Sequence, residues 1–70
     1  MKRTPVTSSN LRSVGFDPKR KVMEIGFRSG RVYEYTGVSV QRHRALMQAA
    51  SHGKYHWKNV RTSYQYTRTK

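Results

Sequence analysis

Between Lys21 and Thr36 the sequence runs KVMEIGFRSGRVYEYT, two alternating stretches on either side of Ser29-Gly30, and no other feature limits the possible fold so sharply. Met23, Ile25 and Phe27 recur at every second position among Val22, Glu24, Gly26 and Arg28, the period of a strand with one buried face. Ser29-Gly30 is a two-residue hairpin signal, so Arg31 to Thr36 is expected to pair antiparallel with Lys21 to Arg28. On that strand Tyr33 and Tyr35 share one face, and Val32, Glu34 and Thr36 share the other. Upstream, Leu11 to Asp17 reads as a strand with Val14 and Phe16 on one face. Asp17-Pro18-Lys19-Arg20 follows as a turn, since proline presets the backbone angle for the second turn position.

Gly37-Val38-Ser39 ends the alternation, and Ser39 suits the N-cap of a helix beginning at Val40. Val40, His43, Met47 and Ala50, with Leu46 beside them, recur at helical spacing and make a stripe able to cover one sheet face. Gly53 is placed to close this helix after about twelve residues. From Lys54 to Lys70 aromatics and cations dominate, and Tyr64-Gln65-Tyr66 suggests a last short strand or extended edge. The expected fold is therefore α+β: a three-stranded antiparallel meander, one α-helix, and an aromatic and basic C-terminal segment packing back on the sheet. Residues 1–9 are polar without a periodic pattern and are expected as a flexible arm, with residues 10–70 forming a single domain.

Only 34% of the 70 residues are apolar, so the core is modest, and no cysteine is present to supplement it with a disulfide or a thiolate metal site. Fifteen Lys and Arg stand against Asp17, Glu24 and Glu34, a formal net charge of +12. Such an excess repels itself in a compact state, and a polyanionic partner relieves it; the alternative is a generally solvated basic surface. Nine of the cations are Arg, whose planar fork suits phosphate and stacks on bases. Met1-Lys2-Arg3 is followed by Thr4-Pro5-Val6-Thr7-Ser8-Ser9-Asn10, where a secretion signal would need an apolar core, and no run is long enough to span a membrane. A cytoplasmic protein is expected.

The candidate binding residues fall in three groups. Arg42 and Arg44 lie in the first turns of the expected helix, where cations oppose the macrodipole; either a ligand draws them there or they are merely solvated. Lys54, Trp57, Lys58, Arg61 and Tyr66 interleave cations with flat rings, the mixture that neutralises phosphates and stacks unpaired bases. In the competing view Tyr55, Trp57, Val60 and Tyr64 complete a core short of aliphatics; Trp57 and Tyr66 are the rings expected to reach solvent. Tyr33 and Tyr35 are either a stacking platform or core, with partial burial and hydroxyls beside Arg28 and Arg31 as the favoured outcome. His43, His52 and His56 include no pair at the spacing of a zinc-binding helix, so neither metal nor cofactor is expected. One enzymatic reading is a metal-free ribonuclease with His52 or His56 as general acid or base and Arg61 steadying the phosphate.

Ser8-Ser9-Asn10-Leu11-Arg12-Ser13-Val14-Gly15-Phe16-Asp17, Met23-Glu24-Ile25 before Phe27, Gly30, Tyr33-Glu34-Tyr35, Gly37-Val38, Leu46 to Ala49, Ser51-His52-Gly53-Lys54-Tyr55, and Arg61 with Tyr64-Gln65-Tyr66 together resemble the KTSC domain family, over about residues 7–67. That family is named for the carboxy-terminal domain of some lysyl-tRNA synthetases and also occurs as small free-standing proteins of bacteria and phages. The resemblance implies an RNA-facing role, and it marks Tyr33 and Tyr35 as the family's central Tyr-x-Tyr. Phe16 stands where the family usually has Tyr, Ser39 where Pro is common, and His56-Trp57 where Phe-Asn is typical, which alters the aromatic surface after the helix.

The expected function is that of a non-catalytic nucleic-acid-binding accessory module, RNA ahead of DNA. Arg28, Arg31, Arg42, Arg44, Lys54, Lys58 and Arg61 would hold phosphates, and Tyr33, Tyr35, Trp57 and Tyr66 would stack bases. Two alternatives remain: an adaptor, in a phage-encoded case binding an acidic host protein, and the small ribonuclease.

Overall fold

A computed structural model describes residues 2–70; residue 1 of the expected arm lies outside them. Five antiparallel strands form one sheet in chain order: β1 (Arg3–Pro5), β2 (Leu11–Asp17), β3 (Val22–Phe27), β4 (Val32–Thr36) and β5 (Tyr66–Arg68). Helices α1 (Val40–Gln48) and α2 (His52–Tyr55) intervene between β4 and β5, and α2 runs directly into a π-helical turn, His56–Val60.

The α+β class holds, but the sheet has five strands where the sequence suggests three. The stretch expected as an arm carries β1, whose Arg3, Thr4 and Pro5 pair with Gly15, Val14 and Ser13. Proline is admissible there because β1 is an edge strand with one side unpaired. The C-terminal segment does return to the sheet, as β5, with Tyr66 opposite Tyr35 and Arg68 opposite Tyr33.

Cross-strand rows explain the buried face. Val14, Ile25 and Tyr33 form one row, and Phe16, Met23 and Tyr35 the next. Leu11 belongs to the same face although it lies three positions before Val14, an odd spacing; a register shift between Leu11 and Ser13 absorbs the odd residue and turns both side chains inward. Leu46 of α1, Val60 of the π-turn and Val38 complete the core with Leu11, Val14, Met23, Ile25 and Tyr35. Each side chain so buried contributes about 1.5–3 kcal/mol, which must offset the ordering of a short chain.

Two turns differ from expectation. The β3–β4 connection is a three-residue loop rather than a two-residue one. Gly30 N donates to the Phe27 carbonyl, Phe27 N donates to the Arg31 carbonyl, and Gly30 takes φ +95°, the left-handed position that ends such loops. The helix also stops earlier than Gly53. Ser39 caps α1 as expected, accepting from Arg42 N, but Ala49 is already extended and Ser51 opens a second helix by accepting from Lys54 N. The His52 Nδ1–H donates to the Leu46 carbonyl at 2.9 Å, a second donor on an acceptor that also takes the Ala49 N–H at the helix end.

The helical stripe is rotated from the expected one. Leu46 is fully buried and His43 stacks on Phe16 with ring centroids 4.6 Å apart, whereas Val40 is 45% exposed and Ala50 faces solvent.

Candidate nucleic-acid interface

Continuation of α2 as a π-turn decides where the C-terminal aromatics point. Arg61 N donates to the His56 carbonyl at 2.8 Å, a five-residue step that widens the helix. His56 and Val60 face the core, while Trp57 is 63% exposed. Four residues on from Trp57, Arg61 lies on the same side of the helix, its guanidinium carbon 3.8 Å from the indole centroid.

Trp57 stands between two clefts. The arginine cleft, about 350 Å³, is bounded by the β3–β4 turn, the Ser9–Leu11 segment and the π-turn; its lining includes Arg28, Arg31, Tyr33, His56, Trp57 and Arg61. The lysine cleft, about 510 Å³, is lined by Ser9, Asn10, Ser51, Gly53, Lys54, Trp57 and Lys58. No carboxylate borders either one. Two of the three acids, Glu24 and Glu34, are cross-strand partners on the opposite face of the sheet, where Glu24 pairs with Arg3 at 3.6 Å. Asp17 is engaged in its turn, accepting from Lys19 N and Arg20 N.

The wall shared by the clefts is held from several directions. Ser8 Oγ accepts from Asn10 N and Leu11 N; Arg28 Nε donates to the Ser8 carbonyl at 2.6 Å, and Arg28 N donates to the Asn10 carbonyl. Gly53 meets this segment closely: a Cβ there would stand 3.2 Å from Ser8 Oγ and 3.7 Å from Asn10 Nδ2.

Beneath the arginine cleft lies a buried polar pair. His56 Nε2 and the Tyr35 hydroxyl share a hydrogen bond of 2.8 Å, with His56 only 5% exposed and Tyr35 1%. Burial above all, aided by the Arg61 guanidinium, pushes the His56 imidazole down to about 4. Burial also raises the Tyr35 phenol to about 12; Tyr33 and Tyr66 add to the rise and Arg61 opposes it. Both groups are neutral at physiological pH, as a fully buried hydrogen-bonded pair must be.

Of the expected site residues, Arg28, Arg31, Tyr33, Trp57 and Arg61 meet at the arginine cleft, and Lys54 and Lys58 at its neighbour. Tyr66, 55% exposed, continues the arginine side by stacking on Tyr33 at 5.2 Å with planes 7° apart. Tyr35 is not on this surface: its ring is core and its hydroxyl points to His56, not to a rim beside Arg28 and Arg31. Arg42 is drawn aside, donating to the Tyr64 and Tyr55 hydroxyls at 3.1 and 3.0 Å, which ties α1 to the C-terminal segment. Arg44 is exposed on α1 and lines neither cleft. Arg3, Arg12 and Lys70 border a separate hollow that also lacks a carboxylate in its lining, so the basic charge is spread widely; what sets the Trp57 surface apart is the exposed ring among its cations.

The residues that sequence reasoning missed are Ser9, Asn10, Ser51 and Gly53. Their one signal was the Ser8-Ser9-Asn10 and Ser51-His52-Gly53 stretches, apolar-poor and unexplained by any strand or helix face. The three histidines each have a packing role, His43 against Phe16, His52 on the Leu46 carbonyl and His56 on Tyr35. Among the described residues no group of His, Asp or Glu is disposed to hold a metal, and no helix is long and apolar enough to cross a membrane.

Comparison with known proteins places the chain in a family. A protein of Stutzerimonas stutzeri (strain A1501) is 42% identical over 55 residues, covering 79% of this chain and 78% of its own. The crystal structure of a KTSC domain protein from Yersinia pestis superposes with a TM-score of 0.96 at 32% identity, covering 99% of this chain and 97% of that one. The family model described as KTSC domain matches residues 7–64, taking in β2 to β4, both helices and the π-turn, and the chain thus belongs to the KTSC domain family.

Proposed function

We propose that this protein binds single-stranded nucleic acid, RNA ahead of DNA, on the surface centred on Trp57. One observation carries the reading: a largely exposed indole, stacked with Arg61, stands between two clefts lined by Arg28, Arg31, Lys54 and Lys58 without a carboxylate. Cations that track a phosphate chain, with a flat ring among them for bases, are the minimum a single-strand site requires. A duplex has its bases already stacked and would leave Trp57 without a partner. RNA is placed ahead of DNA on the family resemblance alone.

The test is a titration of labelled single-stranded RNA, single-stranded DNA and duplex RNA at two salt concentrations. Single strands are expected to bind more tightly than duplex, with log affinity falling against log salt by about 0.7 for each phosphate neutralised. Absence of binding at low salt, or affinity indifferent to salt, overturns the reading. Tighter capture of an acidic protein from nuclease-treated lysate would favour the adaptor instead.

A further inference from the structure

The two clefts that meet at Trp57 are not equivalent, and the difference assigns each a part. Trp57 borders both, whereas Arg61 borders only the arginine cleft. The guanidinium carbon lies 3.8 Å from the indole centroid, so Arg61, which lines the arginine cleft, occupies one face of the ring and leaves the other open. Trp57 also lines the lysine cleft, which Arg61 does not. We propose that this open face seats one unpaired nucleobase in the lysine cleft, while the phosphates next to it are held by Lys54 and Lys58 and the chain continues toward Arg28 and Arg31. The inference rests on the single-strand reading above and adds to it the location, orientation and number of stacked bases.

Three features support the seat. First, Arg61 holds the indole from behind, so the ring need not be immobilised when a base arrives and less ordering entropy opposes binding. Second, Lys54 and Lys58 lie four residues apart, hence on one side of the helix, and flank the ring with positive charge on mobile stems. Third, Ser9, Asn10 and Ser51 supply the opposite rim. The backbone of Asn10 is tied to Ser8 and Arg28, and its carboxamide offers a donor and an acceptor of the kind that reads the edge of a base. The cleft, about 510 Å³, falls within the roughly 300–1,000 Å³ of small-ligand sites.

Trp57 is the sole tryptophan of the chain, so its emission reports the seat directly. Short oligouridylate and oligoadenylate, about six nucleotides long to match typical single-strand sites, are titrated into the intact protein while tryptophan emission and the anisotropy of a label on the oligonucleotide are followed. The expected result is saturable quenching with the midpoint given by anisotropy. Trp57→Ala, at an exposed position and checked for fold by circular dichroism, should weaken binding by between about five- and 150-fold, the range for loss of one stacked base. Lys54→Ala with Lys58→Ala should weaken quenching and anisotropy together.

Poly-glutamate, a polyanion without bases, should leave the emission unchanged; equal quenching by it overturns the seat. If oligonucleotides bind by anisotropy while emission stays constant and Trp57→Ala binds normally, the base seat is wrong and the broader single-strand reading stands. If they fail to bind at low salt, that reading falls and the seat with it.

Discussion

Burial of the Tyr35–His56 pair sets the pH range of this small fold. With the folded imidazole at about 4 against an ordinary 6.5, the unfolded chain takes up the proton first. Stability is therefore full above 6.5, declines as the pH falls from there to about 4, and by then has lost about 3 kcal/mol, comparable to the whole net stability of a domain this size. Burial lowers His43 as well, adding to the decline in the same direction. Tyr35 acts at the other extreme: its pKa is raised from 10.0 to about 12, so its contribution is intact below 10 and disappears between those values. Urea melts at neutral pH and near pH 4.5 should show a large loss in the native chain. They should show a much smaller one in the Tyr35→Phe, His56→Phe double variant, where no imidazole remains to titrate at that site. Tyr35→Phe alone strands the imidazole nitrogen and should cost about 1–3 kcal/mol near neutrality. Equal melts for the native chain at both pH values would refute the account.

Among the elements, those legible in the sequence were those that bury a face by themselves. β2, β3 and β4 carry Val14 and Phe16, Met23, Ile25 and Phe27, Tyr33 and Tyr35 in strict alternation, and Ser39 announces α1. β1, Arg-Thr-Pro, is too short and polar to show a period, while β5, Tyr-Thr-Arg, is foreshadowed by Tyr64-Gln65-Tyr66 but starts two residues later; only pairing with a neighbour makes either a strand. The break after α1 was illegible for another reason: no glycine or proline stands at Ala49-Ala50, and the interruption comes from Ser51 and His52 capping across it. At the site, Trp57, Arg61 and the arginines were legible through charge and aromaticity, whereas Asn10 and Gly53 matter because the backbone brings them together. Gly53 offers a test at this scale. In an isolated helix, alanine would outdo glycine by about 0.5–1 kcal/mol. Here its Cβ would press on Ser8 Oγ at 3.2 Å and shift the wall common to both clefts. Gly53→Ala should bring no gain in melting temperature and a several-fold loss of single-strand affinity; a more stable variant that binds normally would show that the wall yields without consequence.

For the molecule as a whole, a net charge of +12 on 70 residues sets the response to its surroundings. Among the described residues a single ion pair, Arg3 with Glu24, offsets it. Self-repulsion of this size is screened by salt, with a Debye length of about 10 Å at 0.1 M and about 3 Å at 1 M. The melting temperature is therefore expected to rise between low and moderate sodium chloride, opposite to the behaviour of a protein held by surface ion pairs. A melting temperature that falls over the same range would mean that attractive pairs outweigh the repulsion.

Pairing order within the sheet bears on which part of the fold forms last. From β1 to β4 every partner is the next strand along, so those ladders join residues near one another in the chain. β5 alone is different, since Tyr33 meets Arg68 only after both helices have been traversed. Contacts of long sequence separation cost the most loop-closure entropy and are the last to form. Amide exchange should accordingly begin sooner in β5 than in β2 and β3, so the sheet is expected to fray from the edge that the chain reaches last.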